Sequence, residues 1–254
     1  MLNFFLRYLQ SGCGTTDDWL GSTDTPLKGF SWRSGRKLDT TGILMWSEPF
    51  VFKLDDGQEV AIVLMDTQGA YDSGYTVRHS ATVFALSTMT SSIQVFNLMR
   101  NLQEDNLQVL EMFTDFGQQA IKATGEKPFQ KLLFLIRDWS FPHEHPYGLT
   151  GGQGLLDEKL IIKEDQAEQL KQIRRHIGSI FSKIGCYLMP YPGKTVATNP
   201  RFDGRVVDID SEFVDYLKEF VPLMLNPKNV VVKKIGGQQV TGKQLVKYFK
   251  LYFN

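Results

Sequence analysis

Two short, unbroken apolar runs interrupt a chain that elsewhere mixes apolar and polar positions: Val60-Ala61-Ile62-Val63-Leu64-Met65 and Leu132-Leu133-Phe134-Leu135-Ile136. A continuous run of that length reads as a strand buried on both faces, as in a parallel sheet. Each run ends in charge, the first at Asp66-Thr67-Gln68-Gly69 and the second at Arg137-Asp138. Leu2, Phe5, Leu6 and Leu9 fall on one helical face, so the chain opens as a helix, with no capping residue or loop before it. Residues 11–42, rich in Gly, Ser, Thr and Asp, read as a long loop. Residues 43–54 read as a strand, Asp55-Asp56-Gly57 as a hairpin turn, and 59–65 as the partner strand. Further helices are predicted over 76–89, 104–124, 166–183 and 210–225, and one from 241 onward. Strands are predicted over 93–96, 132–136, 186–189 and 230–235, and a Pro/Gly loop over 190–204. Strands separated by helices predict an α/β fold with a mostly parallel sheet flanked by helices.

In such sheets ligands sit just beyond the carboxyl ends of the strands. Asp66 stands at one such end, where a carboxylate can face a magnesium ion. Gly69 follows, and with no Cβ its backbone can approach a phosphate closely. A plain strand-terminal turn would also use Asp and Gly. A nucleotide site further asks for Gly-x-x-x-x-Gly-Lys-Ser/Thr, and the 254 residues contain no intact copy. Gly237 to Lys243 has the spacing but continues with Gln244. Gly193-Lys194-Thr195 has the tail but carries Leu188 where the first glycine belongs.

Other chemistries find less support. No Gly-x-Ser-x-Gly elbow occurs. His143-Glu144-His145 lies between Pro142 and Pro146 with no third ligand at useful spacing, and reads as a loop with exposed histidines. His79 and His176 fall on predicted helices, as surface or half-buried residues. Arg174-Arg175 and Lys233-Lys234 read as solvated faces. With 28 basic and 28 acidic residues, nothing points to nucleic acid or an anionic membrane. Cys13 and Cys186 give no disulfide framework and fit a reducing compartment. No run approaches a bilayer span, and MLNFFLRYLQ, broken by Arg7, is no convincing signal peptide.

Five stretches carry a resemblance: FSWRSGRKLDTTGILMWSEPF (30–50), VLMDTQGAYDS (63–73), ATVFALSTMTSSIQVFNL (81–98), LIRDWSFPHEHPYG (135–148) and ATNPRFDGR (197–205). Over essentially its whole length the chain resembles the atlastin family, dynamin-related GTPases that fuse endoplasmic reticulum membranes. Guanylate-binding proteins share this G-domain type, and Arg-Asp-Trp-Ser-Phe-Pro at 137–142 fits atlastins better. The resemblance implies a P-loop-type GTPase domain that binds GTP with Mg2+. It implies Asp66 as the carboxylate holding magnesium and Thr40, or Thr41 one position on, as the threonine that closes on it. It implies Gly69 at the γ-phosphate, and Arg33 and Gln68 at nucleotide-contacting positions. Arg137 and Asp138 match the pair that reads guanine, and Val196 and Asn199 lie in the loop that caps the base. The chemistry suits Asp138, because a carboxylate accepts from both N1–H and N2–H of guanine, which adenine does not offer. Arg137 can stack its planar guanidinium on the base.

In the family the first helix follows directly from the phosphate loop, and this chain opens inside that helix. The expectation is a single G domain over 1–254 without its first strand, its phosphate loop and the loop arginine that serves in cis. Ala70 stands where small GTPases place a water-orienting Gln. Four lost charge-assisted hydrogen bonds at about 1.5 kcal/mol each give about 6 kcal/mol, on the order of 10⁴ in affinity. An arginine finger is worth about 10³–10⁵ in rate. These residues alone are therefore expected to bind GTP weakly and hydrolyse it negligibly. The missing strand is expected to leave a gap between 60–65 and 132–136. The helical middle domain and paired membrane segments would follow in a full protein at the cytosolic face of the endoplasmic reticulum, whose G domains pair when GTP is bound. The alternatives are a non-catalytic short product that binds full-length relatives, and a GTPase of the guanylate-binding-protein kind.

Overall fold

The computed structural model describes residues 1–13, 18–32, 40–69, 77–118, 121 and 125–252. They divide into two compact units, Met1–Gln68 with Met189–Val230, and Gly69–Leu188 with Val231–Asn254.

The first unit opens with α1 (Leu2–Gln10), whose Phe4, Phe5, Leu6, Tyr8 and Leu9 are all buried. Its partner is α7 (Ser211–Leu225), and Phe5 meets Phe220 with ring centroids 5.9 Å apart. The side chain of Asp210 caps α7 by accepting from the Glu212 amide. Arg7 fastens the following loop, donating to the carbonyls of Leu20, Thr25 and Pro26.

The predicted hairpin forms, but each arm is broken in two. β1 (Ile43–Met45) pairs antiparallel with β4 (Met65–Thr67), and β2 (Phe50–Lys53) with β3 (Glu59–Ile62). The break falls at Trp46 to Pro49, where proline has no N–H to give to a ladder. The run 60–65 is therefore not a parallel strand buried on both faces. Val60 and Leu64 are buried, Ala61 and Val63 are exposed, and the alternation is that of an antiparallel ribbon with one open face. Asp66 is not beyond the strand end but inside β4, opposite Leu44.

The second unit holds the parallel sheet, in the order β5-β6-β7. β5 is Ile93–Met99, β6 Phe129–Arg137 and β7 Phe181–Leu188. The run 132–136 meets its expectation: it is the centre of β6, buried throughout, with Phe134 opposite Phe96 on one side and Cys186 on the other. The partners of β3 and β6 are thus β2 in one case and β5 and β7 in the other. Around the sheet pack α2 (Val77–Thr90), α3 (Glu104–Thr114), α4 (Gly148–Leu160) and α5 (Glu168–Ile180). Phe84, Leu107, Leu110, Leu155, Ile173 and Ile177 join one core with it. The helix predicted over 104–124 is interrupted at Asp115, the C-cap of α3, and helical residues resume at 116–118 and at 121. The strand predicted over 230–235 shrinks to β8 (Lys234–Ile235), paired with β9 (Gln238–Gln239) before α8 (Gly242–Tyr252).

Two charged pairs are misread in the sequence as solvated faces. Arg174 is buried on α5 and held bidentately by Glu104 on α3, the two oxygens accepting from its two terminal nitrogens. Lys233 is half-buried and donates to the Ser91 carbonyl at 2.8 Å, and burial pushes its ammonium down to about 8. Their neighbours Arg175 and Lys234 are exposed as expected. His176 is buried, with Nε2 on Thr114 Oγ1 and Nδ1 on Gln118, both at 3.1 Å, and burial lowers its pKa against the pull of Glu111 and Asp115.

Candidate functional site

The first cluster grows out of the β1–β4 ladder. Beyond its last paired residues the chain continues as Gly42 opposite Gln68. The Gln68 amide donates to the Gly42 carbonyl at 2.8 Å, and the Gly42 amide donates to Gln68 Oε1 at 3.1 Å. Gly42 has φ +71°, a conformation that side chains resist. The turn this permits carries Thr40 back across the ladder, and its hydroxyl donates to Asp66 Oδ2. Thr40 and Asp66 are half-buried, Thr41 is exposed and makes no such contact, and Gln68 is 7% exposed. Thr40, Asp66 and Gln68 thus stand together. A hydroxyl and a carboxylate are the hard oxygen donors that magnesium takes. Gln68 Nε2 has no partner among the described residues.

The second cluster stands at the carboxyl end of the parallel sheet. Arg137 closes β6, and its Nε donates to Asn97 Oδ1 of β5 at 2.7 Å. Burial pushes its guanidinium pKa down, and the adjacent Asp138 opposes that shift. Asp138 has φ +57° and, at the end of the neighbouring strand, Arg100 has φ +69°. The Arg100 amide donates to the Arg137 carbonyl at 2.6 Å. A left-handed non-glycine residue costs about 1–2 kcal/mol, and two such residues side by side at a sheet end mark stored backbone strain. Asp138 Oδ1 is buried and has no hydrogen-bond partner among the described residues. A carboxylate oxygen in that condition is costly and calls for donors from elsewhere.

The loop that presents Asp138 is anchored behind it. Trp139 is buried, and its indole N–H donates to the His145 carbonyl at 2.8 Å. The His145 ring in turn meets Glu158 of α4 at 3.2 Å, and that hydrogen bond holds the Glu158 carboxyl below its ordinary range. His145 is therefore a structural clasp, half-buried where the sequence suggested exposure, and His143 remains exposed. Among the described residues no group of three or more His, Cys, Asp or Glu is placed to hold a metal.

The remaining candidates are placed as follows. The loop over 190–204 contains a short helix, α6 (Lys194–Thr198), with Val196 half-buried on it. Asn199 caps it, its amide donating to Thr195 and its Oδ1 accepting from the Arg201 amide at 2.9 Å. Gly193, φ +107°, is the N-cap of this helix, and Gly236 and Gly237 make the turn between β8 and β9. Both glycine-lysine stretches are thus accounted for as a helix cap and a hairpin. Gly69 is exposed, with nothing within 4 Å of where a Cβ would stand. Arg33 lies outside the described residues. Sequence reasoning missed Asn97, Arg100 and Gly42. The signal for Asn97 was available: it is the polar residue that follows directly on Ile93-Gln94-Val95-Phe96, in register with the run 132–136.

The guanylate-binding protein N-terminal domain family matches residues 1–234. Among curated proteins, the chain is 54% identical over 252 residues to atlastin-2 of Xenopus laevis, covering 99% of this chain and 44% of that protein. It is 53% identical over 256 residues to atlastin of Drosophila melanogaster, covering 100% of this chain and 47% of that one. It is 52% identical over 252 residues to human atlastin-2, covering 99% and 43%. The chain spans a little under half the length of these relatives.

Proposed function

The chain belongs to the guanylate-binding-protein N-terminal domain family, in its atlastin branch, and on that premise we propose that residues 1–254 are one G domain whose task is to bind GTP with Mg2+ as part of a GTP hydrolase. The observation that carries this reading is the buried Asp138 Oδ1 without a donor, at the carboxyl end of a parallel sheet. Guanine supplies two N–H donors on one edge, which is what an ionised carboxylate at that place lacks. Arg137, half-buried and steadied by Asn97, offers its guanidinium plane to the base. Val196 and Asn199 are proposed to cap the base from α6.

At the phosphate end, Thr40 and Asp66 would hold the magnesium ion, Asp66 through a water. Gly69 would give its amide to the γ-phosphate, and Gln68 and Arg33 are proposed as further nucleotide-contacting residues. Bound Mg2+ bridges and neutralises phosphate oxygens. In a full-length member of the family, GTP-dependent pairing of two G domains would drive homotypic fusion of endoplasmic reticulum membranes. No helix among the described residues is long and apolar enough to cross a membrane, so that role would need segments beyond these. The 254 residues contain no Gly-x-x-x-x-Gly-Lys-Ser/Thr, and we propose that alone they bind GTP weakly and turn it over negligibly.

A titration of the chain with a fluorescent GTP analogue in Mg2+ tests this, with the ATP analogue as control. GTP is expected to bind and ATP not to. D138N should lose about 3 kcal/mol, on the order of 10²-fold in GTP affinity, because two charge-assisted hydrogen bonds go. The same variant should gain affinity for xanthosine triphosphate, whose base presents an acceptor where guanine presents a donor. Equal binding of GTP and ATP, or a D138N variant as tight as the parent, would refute the assignment. Absence of binding by any nucleotide would favour the non-catalytic binding module.

A further inference from the structure

We propose that Gln68 is a positioning residue: its side-chain carbonyl holds Gly42 in the left-handed turn that sets the Thr40 hydroxyl on Asp66. The inference rests on the reading of Thr40 and Asp66 as the metal-binding pair. Four observations carry it. Gly42 N–H has Gln68 Oε1 as its acceptor at 3.1 Å, and Gln68 N–H has the Gly42 carbonyl at 2.8 Å, so the two residues are locked reciprocally. Gly42 sits at φ +71°, with nothing within 4 Å of where a Cβ would stand, so no contact on that side holds the turn in place. The ladder proper ends at Ile43 opposite Thr67, so the Gln68 side chain is what extends order past it towards Thr40. Gln68 itself is fixed, since it is only 7% exposed.

The contact also settles the orientation of the amide. With Gly42 N–H facing the side-chain amide, a flipped amide would set Nε2–H against Gly42 N–H, donor facing donor. The oxygen is therefore committed to Gly42, and the unpartnered Nε2 points away from it. One side chain thus connects the loop bearing Thr40 to the end of the strand bearing Asp66, and the geometry of the pair depends on it.

The test uses the 254-residue chain and two variants. Q68M keeps the length and loses both polar atoms; Q68E keeps the acceptor and loses the donor. In amide hydrogen exchange without nucleotide, Q68M should speed exchange at Gly42 about fivefold to tenfold, the worth of one hydrogen bond, and leave Phe134 in β6 unchanged. Q68E should exchange at Gly42 within about twofold of the parent, since its carboxyl still accepts. With fluorescent GTP titrated in Mg2+ and in EDTA, Q68M should lose affinity in both, and several-fold more in Mg2+ than in EDTA, because the metal pair is what the side chain positions. Unchanged exchange at Gly42 in Q68M, exchange in Q68E as fast as in Q68M, or an equal loss of affinity with and without Mg2+ would each overturn the proposal. If the parent binds no GTP at all, the GTPase reading fails, while the exchange experiment still decides the role of Gln68.

Discussion

Gly152 and Gly178 each sit inside a helix of the second unit, and the same substitution should act on them with opposite sign. Replacing glycine by alanine in a helix gains about 0.8–1 kcal/mol of propensity, because alanine gives up less backbone freedom. At Gly178, exposed near the end of α5, an added Cβ meets nothing within 4 Å, so G178A should keep most of that gain, about 0.5–1 kcal/mol. At Gly152, on α4, an added Cβ would stand 2.2 Å from the Cys186 carbonyl oxygen and 2.9 Å from the Tyr187 nitrogen. Ordinary carbon-to-oxygen contact begins near about 3.3 Å, so the helix and strand must separate by about 1 Å. β7 cannot yield, because Cys186 is locked in the parallel ladder opposite Phe134. α4 must move instead, and it carries Leu155 and Leu156, each only 2% exposed. A gap of about 0.5–1 Å forfeits a quarter to a half of the dispersion energy across it, which for two buried leucines amounts to about 3–4 kcal/mol. Set against a propensity gain of about 1 kcal/mol, G152A should be less stable by about 2–3 kcal/mol. Urea unfolding followed by circular dichroism reads both variants. G178A should raise the midpoint slightly and G152A should lower it by about 1 M, with slopes unchanged. A G152A midpoint at or above the parent's would refute the claim that backbone contact between α4 and β7 holds this face of the sheet.

Substitutions at two further sites test buried charge. For Lys233, the fall from 10.5 to about 8 corresponds to about 3 kcal/mol against the charged form in the folded chain. That penalty is full below pH 8 and disappears above 10.5, because the unfolded chain takes up its proton between those values and the folded chain does not. K233M should therefore be more stable than the parent at pH 7 by about 1–2 kcal/mol, after losing the bond to Ser91, and no more stable at pH 10.5, as read by urea midpoints at both pH values. A difference that does not change with pH would exclude the burial argument. For Arg174, whose side chain is 4% exposed, E104A strands the guanidinium and should cost about 3 kcal/mol. The double variant R174M/E104A should recover part of that loss in thermal unfolding, because a stranded buried charge costs more than an apolar side chain of similar length.

The two apolar runs show where sequence reading succeeds and where it stops. Residues 132–136 and 60–65 look alike in composition, and only the first is buried on both faces. What separates them is not hydrophobicity but neighbours. β6 has a parallel partner on each side and helices over the sheet, so every side chain of 132–136 finds cover. The second run is preceded by Asp55-Asp56-Gly57, with Gly57 at φ +83°, and that turn fixes Val51 opposite Ala61 on a face that stays open. The turn is a local instruction and the run a statistical one; where they conflict, the turn sets the register. The site follows the same division. Asp138 at the end of a doubly buried strand was legible, because the strand itself was legible. Its left-handed backbone and its orphaned oxygen were not, since neither leaves a mark in the residue pattern. Asp66 was legible as a residue but not as a position. The antiparallel pairing that the hairpin turn predicted carries Asp66 into β4, opposite Leu44, and brings Gly42 and Thr40 against it. Had 60–65 been an isolated parallel strand with Asp66 past its end, no second chain would lie alongside to fix the carboxylate. The antiparallel pairing of β1 with β4 is therefore the physical origin of the Thr40–Asp66 contact, and the contact depends on the turn at Gly42 that continues it.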